Sequence, residues 1–160
     1  MSIQAMILGV ILAVSATPFI HPTMQVPDRP PVPAFTELLS RIEHRLGPAA
    51  VDCGQFYIKQ LGHAAASAKD LRRAVTCVKQ KAANRTPAFV IVQLQGIDSS
   101  IAYGLLAHAD GSLSFYTYDD DPSGGSGAEP SFDLEACAAP KVAQTRGGSP
   151  DIRCEPSKSM

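Results

Sequence analysis

Residues 87–118, PAFVIVQLQGIDSSIAYGLLAHADGSLSFYTY, decide the fold. Phe89 to Leu94 is crowded with branched residues and is bounded by Gly96 and Asp98-Ser99, the pattern of a strand running into a turn. Two further runs, Ile101 to His108 and Ser112 to Tyr118, flank Ala109-Asp110-Gly111. Asp-Gly between such runs predicts a hairpin, because a type I′ turn needs positive φ at both central residues.

Upstream the period changes. Phe35, Leu38, Leu39, Ile42 and Leu46 form one apolar stripe at helical spacing, and the helix should span 34–47, stopping at Gly47-Pro48. Ser67 followed by Asp70 resembles a capping box, which opens a second helix running to about Ala83. Its apolar face is Leu71, Ala74, Val75, Val78 and Ala82, and its opposite face carries Arg72, Arg73, Lys79 and Lys81. Downstream, Phe132-Asp133-Leu134 and Asp151-Ile152-Arg153 are short, weaker strand candidates. Helix, helix and then a meander of strands predicts an α+β fold: an antiparallel sheet of three to five strands with one or two helices packed on one face.

The chain has 160 residues and divides by composition into three parts. Residues 1–16 hold an apolar run, Ile3 to Ala16, of signal-peptide length and too short to cross a bilayer, with small residues at Val14-Ser15-Ala16 that suit cleavage before Thr17. Residues 17–33 contain six prolines and read as an extended linker. Residues 34–155 form one domain, with a disulfide-bonded core over 52–154. The expected location is the periplasm or the exterior, with membrane contact only through an uncleaved signal segment.

Cys53, Cys77, Cys137 and Cys154 fit an oxidising compartment. Four cysteines allow three pairings. Local pairing, Cys53 with Cys77 and Cys137 with Cys154, is the favoured arrangement, each bridge contributing about 3 kcal/mol in the chain-entropy description.

Net charge is −1, yet its distribution is uneven. Residues 28–85 carry ten Lys or Arg against five Asp or Glu, whereas residues 86–140 carry eight acids and no Lys or Arg. The domain should be basic on its helices and acidic around its strand ends. The absence of a basic surplus interleaved with aromatics disfavours nucleic-acid binding.

Several segments recur as a set: Asp52-Cys53-Gly54, a helix with Cys77, Thr86-Pro87-Ala88-Phe89, Gln95-Gly96-Ile97-Asp98-Ser99, Tyr118 to Gly125, and two late cysteines. Over about residues 52–154 the chain resembles a group of small, exported, uncharacterised bacterial proteins with D-C-G, Q-G-x-D-S and Y-D-S-D-P-S-G-G motifs. This chain departs from the pattern at Asp120, where the group has Ser. The resemblance implies a shared fold and export and carries no activity.

Two constellations hold candidate chemistry. Asp119, Asp121 and Ser123, followed by Gly124, place oxygens at alternate positions as in the first half of a calcium loop, with Glu129 available to complete the shell. An EF-hand would need Glu where Pro130 stands, so the competing reading is an acidic turn that keeps a strand edge from pairing with another chain. Ca²⁺ is the one cofactor with any support. Asp98, Ser99 and His108 form a candidate surface site, with His108 beside Asp110, although no G-x-S-x-G elbow accompanies them. The favoured function is an exported, small, non-catalytic binding or interaction domain acting on a protein or surface component. The alternatives are a calcium-stabilised extracellular module using the 119–129 loop and a small hydrolase-like enzyme.

Overall fold

A computed structural model describes residues 33–59, 65–95, 99–125 and 129–155. The expected signal segment 1–16, nearly all of the 17–33 linker, and Asp98 lie outside the described residues. The element order is α1 (Pro33–Leu46), β1 (Val51–Lys59), α2 (Ala68–Ala83), β2 (Ala88–Gln95), β3 (Ser100–Ala107), β4 (Leu113–Asp119), β5 (Ser131–Ala136), β6 (Ala139–Gln144) and β7 (Pro150–Glu155). Strands β1 to β5 form one sheet in sequence order, and β6 and β7 form a separate two-stranded hairpin. The fold is α+β, as the order of elements predicts.

Each helix forms where its stripe and its ends agree. In α2 the Ser67 hydroxyl accepts from the Asp70 amide at 3.2 Å while the Asp70 carboxylate reaches back to the Ser67 amide. Two otherwise unpaired donors are thereby satisfied. The helix ends with Arg85 in the left-handed region at φ 52°, and the Thr86 amide returns to the Lys81 carbonyl. Helix α1 ends at Gly47, φ 87°, whose amide bonds the Glu43 carbonyl at 2.8 Å.

The sheet is covered on both faces, which differs from the expected packing on one face. Ala88, Val90, Val92, Tyr103, Leu105 and Ala107 form a core with the buried stripe of α2, joined by Cys137 and by Ile152 of β7. Their alternates Phe89, Ile91, Ala102 and Leu106, with Tyr116 and Tyr118, form a second core with Phe35, Leu38 and Ile42 of α1. Side chains alternate across a strand, so a strand buried on both faces must be apolar at every position. The unbroken run Ala88 to Val92 is that signature.

Strand β1 lies at one edge of the sheet. It pairs parallel to β2, with a shift in register between Asp52 and Gln55 where Gly54 adopts φ 136°. The sheet is therefore mixed, with a parallel pair at one edge. The turn after β3 also differs from the expected type I′. Five residues, His108 to Ser112, connect the strands, with the His108 amide on the Ser112 carbonyl at 2.9 Å; Gly111 has φ 90° and Asp110 is not in the left-handed region. The Asp110 carboxylate fixes the loop by accepting from the Ser112 amide and hydroxyl at 2.8 and 2.6 Å.

Gly104 of β3 is needed for a close approach. The Tyr116 ring reaches across it so that its hydroxyl donates to the Val90 carbonyl oxygen at 3.2 Å. A Cβ at Gly104 would fall on that same carbonyl oxygen and lie 2.9 Å from Tyr116 Cε1. Burial, followed by the nearby Asp52 carboxylate, holds the Tyr116 phenol well above its ordinary pKa.

Both expected disulfides are present, Cys53–Cys77 tying β1 to α2 and Cys137–Cys154 tying the segment after β5 to β7. Among the described residues no helix is long and apolar enough to cross a membrane. The two bridges point to an oxidising, extracytoplasmic environment.

Candidate functional site

The acidic loop leaves β4 at Asp119, and its carboxylates are largely engaged with its own backbone. Asp119 Oδ1 accepts from the Asp121 amide at 3.0 Å, and Asp121 Oδ2 accepts from the Gly125 amide. Asp120 ties the loop to the start of β3, where its Oδ1 accepts from the Ser100 amide at 2.5 Å. These contacts are those of a turn stabilised by Asp side chains. Ser123 and Glu129 are exposed, and among the described residues no three His, Cys, Asp or Glu side chains gather as metal ligands. One atom stands apart: Asp121 Oδ1 is buried without a hydrogen-bond partner.

Ser99 and His108 do not meet. They flank β3 at its opposite ends, and a strand of eight residues spans about 26 Å at roughly 3.3 Å per residue. Ser99 sits at the end near the acidic loop, as antiparallel pairing predicts. His108 instead pairs with Ser114, Nε2 to Oγ 2.9 Å, a partner that sequence reasoning missed. The signal was present, because Ser114 lies just across the Ala109-Asp110-Gly111 loop. The Ser112 hydroxyl, then the Ser112 amide, hold the Asp110 carboxyl below its ordinary range. That carboxylate is occupied in the turn and does not orient a catalytic imidazole.

The most concentrated charge among the described elements lies on α2. Burial of Leu71, Ala74, Val75, Val78 and Ala82 fixes the helix rotation, so Arg72, Arg73, Lys79 and Gln80 are exposed. Lys69, Arg72, Arg73, Thr76, Cys77 and Gln80 line an open groove of about 340 Å³. The ion pairs of the described residues lie elsewhere, at Arg41–Glu37, Lys141–Glu155 and Arg153–Asp151. No α2 cation is in an ion pair among the described residues, and the one carboxylate on the helix, Asp70, is attracted by Arg73 and Lys69.

A second open groove, about 640 Å³, runs between α1 and β5 along Ser40, Arg41, His44, Arg45 and Phe132. Its cations are engaged. Arg41 pairs with Glu37 at 2.7 Å, and the Arg45 guanidinium sits 5.1 Å from the centre of the Phe132 ring, which in turn stacks on Tyr116 at 5.4 Å. Nothing in the sequence connects Arg45 with Phe132, because only the sheet order brings β5 under α1.

No family model matches the chain, and neither a curated protein nor a solved structure matches it. The functional reading rests on the residues themselves.

Proposed function

We propose that the chain is an exported, non-catalytic binding domain that meets an acidic partner protein through the outer face of α2. The observation that carries this reading is the array of Lys69, Arg72, Arg73, Lys79 and Lys81 on one helix, five cations against the single carboxylate of Asp70, none of them in an ion pair among the described residues. Such an array attracts and orients a partner of opposite charge, and the attraction falls with ionic strength. Two disulfides and the apolar N-terminal run support export, and the separation of Ser99 from His108 weighs against catalysis.

The test is affinity capture of cell-envelope proteins by the oxidised protein, with Arg72→Glu/Arg73→Glu alongside. The expected result is an acidic protein retained at low salt, released at high salt and lost with the variant. Substrate turnover that disappears on a single side-chain change would overturn the reading.

Asp121 Oδ1, buried and without a partner, favours a second reading in which Ca²⁺ steadies the 119–129 loop. Asp119, Asp121, Ser123 and Glu129 would supply its oxygens. A ligand that binds the folded state raises the melting midpoint as its concentration passes the dissociation constant. This reading therefore predicts a calcium-dependent rise in Tm abolished by Asp121→Ala, and a midpoint unchanged up to millimolar calcium would remove it.

A further inference from the structure

We propose that Cys53–Cys77 is a thiol–disulfide exchange site selective for anionic thiols, whereas Cys137–Cys154 is a structural bridge. The proposal shares the cationic α2 face with the binding reading and does not depend on any partner protein.

The two bridges occupy different surroundings. Cys137 is 3% exposed and belongs to the core under α2, where Ile152 packs with it, while its partner Cys154 is half-buried and does not line the cationic groove. Cys77 is only half-buried and opens onto the groove lined by Lys69, Arg72, Arg73, Thr76 and Gln80. On the helix it stands four residues after Arg73 and four before Lys81, so both cations share its side of the cylinder. A thiolate approaching from solvent therefore reaches Cys77 through a positive field, and the departing thiolate is stabilised by the same field.

The exchange proceeds in two steps. A thiolate RS⁻ attacks Cys77 Sγ and forms the RS–SCys77 bond. The Cys77–Cys53 bond breaks, its electron pair leaves on Cys53 Sγ, and that thiolate takes a proton from water. A second thiolate attacks the RS sulfur of the mixed disulfide, releasing RSSR and the Cys77 thiolate. Two thiols are oxidised and one protein disulfide is reduced.

The fold tolerates this opening. Helix α2 buries five side chains in the core, and β1 is held to β2 by its own parallel ladder. Neither depends on the bridge that joins them.

The experiment reduces the full chain, oxidised at both bridges, with 3-mercaptopropionate, 2-mercaptoethanol or cysteamine, which are anionic, neutral and cationic. Freed thiols are alkylated and mapped by mass. Each rate is expressed per thiolate and divided by that thiol's rate on a small neutral disulfide, removing differences in intrinsic nucleophilicity. The expected result is that Cys53–Cys77 opens before Cys137–Cys154 with every thiol. At low salt the anionic reagent should be about fivefold faster than the neutral one and the cationic reagent slower, the differences shrinking at high salt. Arg72→Gln/Arg73→Gln should flatten that order and Arg72→Glu/Arg73→Glu should invert it, with circular dichroism confirming the fold. Simultaneous opening of both bridges, earlier opening of Cys137–Cys154, or rates indifferent to thiol charge would overturn the proposal. Because the probes are small thiols, failure here leaves the binding reading standing, and failure to capture a partner leaves this one standing.

Discussion

On one face of the five-stranded sheet, α2 is fastened by a capping box, by a disulfide to β1 and by contact with the β6–β7 hairpin. On the other face, α1 rests on Phe89, Ile91, Tyr116 and Tyr118 through side-chain packing, with Arg45 lying over Phe132. The first face is held by several independent means, so losing any one of them should leave α2 in place. The second depends on the shape of an aromatic floor. That difference matters for the proposed function, because the cations proposed for recognition stand on the helix that is held by more means.

The largest way to break the comparison is Gly104→Ala. The new Cβ collides with the Val90 carbonyl oxygen and the Tyr116 ring, both fixed by the sheet. Moving Tyr116 removes the floor under α1 and the hydrogen bond from its hydroxyl. The expected loss is about 3 kcal/mol, at the upper end of overpacking costs, measured by denaturant unfolding. A loss below about 1 kcal/mol would show that the face under α1 can repack freely.

The smaller effect lies at the α2 cap. Ser67→Ala should cost about 1 kcal/mol, the usual value of an N-cap side chain, and should leave the helix in place because the Cys53–Cys77 bridge and the core still hold it. The same variant changes the pH dependence. The Ser67 hydroxyl holds the Asp70 carboxyl below its ordinary range, so the folded state favours the carboxylate more than the unfolded state does. This stabilisation is present above the ordinary carboxylate pKa and is lost as pH falls through the lowered value. The gap between wild type and Ser67→Ala should therefore narrow as pH falls below the ordinary carboxylate pKa of about 4, leaving the part due to the Asp70 amide bond, which does not titrate. A constant gap across pH would mean that the cap contributes nothing through Asp70.

Local chemistry explains how much of this was legible in the sequence. Helix α2 was readable to the residue, because Ser67 and Asp70 mark its start and the five buried positions repeat at helical spacing. The central hairpin and both disulfide pairings were also accessible from turn residues and cysteine spacing. Strand β1 was not, because Gly54 at φ 136° breaks its alternation and its partner lies beyond a helix. Strand β6 was hidden by Pro140, an unusual strand residue tolerated here in a two-stranded hairpin whose second strand is bridged to Cys137. Packing on two faces was encoded in the unbroken apolar run Ala88 to Val92, which a one-faced sheet would not require.

The candidate site was less legible. The α2 cations could be listed from the sequence, but that none of them forms an ion pair among the described residues depends on where the fold places the acidic side chains. Conversely, Ser99 and His108 are close in sequence yet separated by the whole length of β3, because an extended chain advances about 3.3 Å per residue.

Native-state hydrogen exchange, resolved by residue, tests the central claim most directly: that α2 is a firmly held platform and α1 a separately detachable cover. Local openings span free energies from near zero to that of global unfolding. The account predicts that the buried turns of α2 exchange only with global unfolding, while α1 opens at a lower free energy and leaves the α2 amides protected. Equal protection in both helices, or α2 opening before α1, would contradict it.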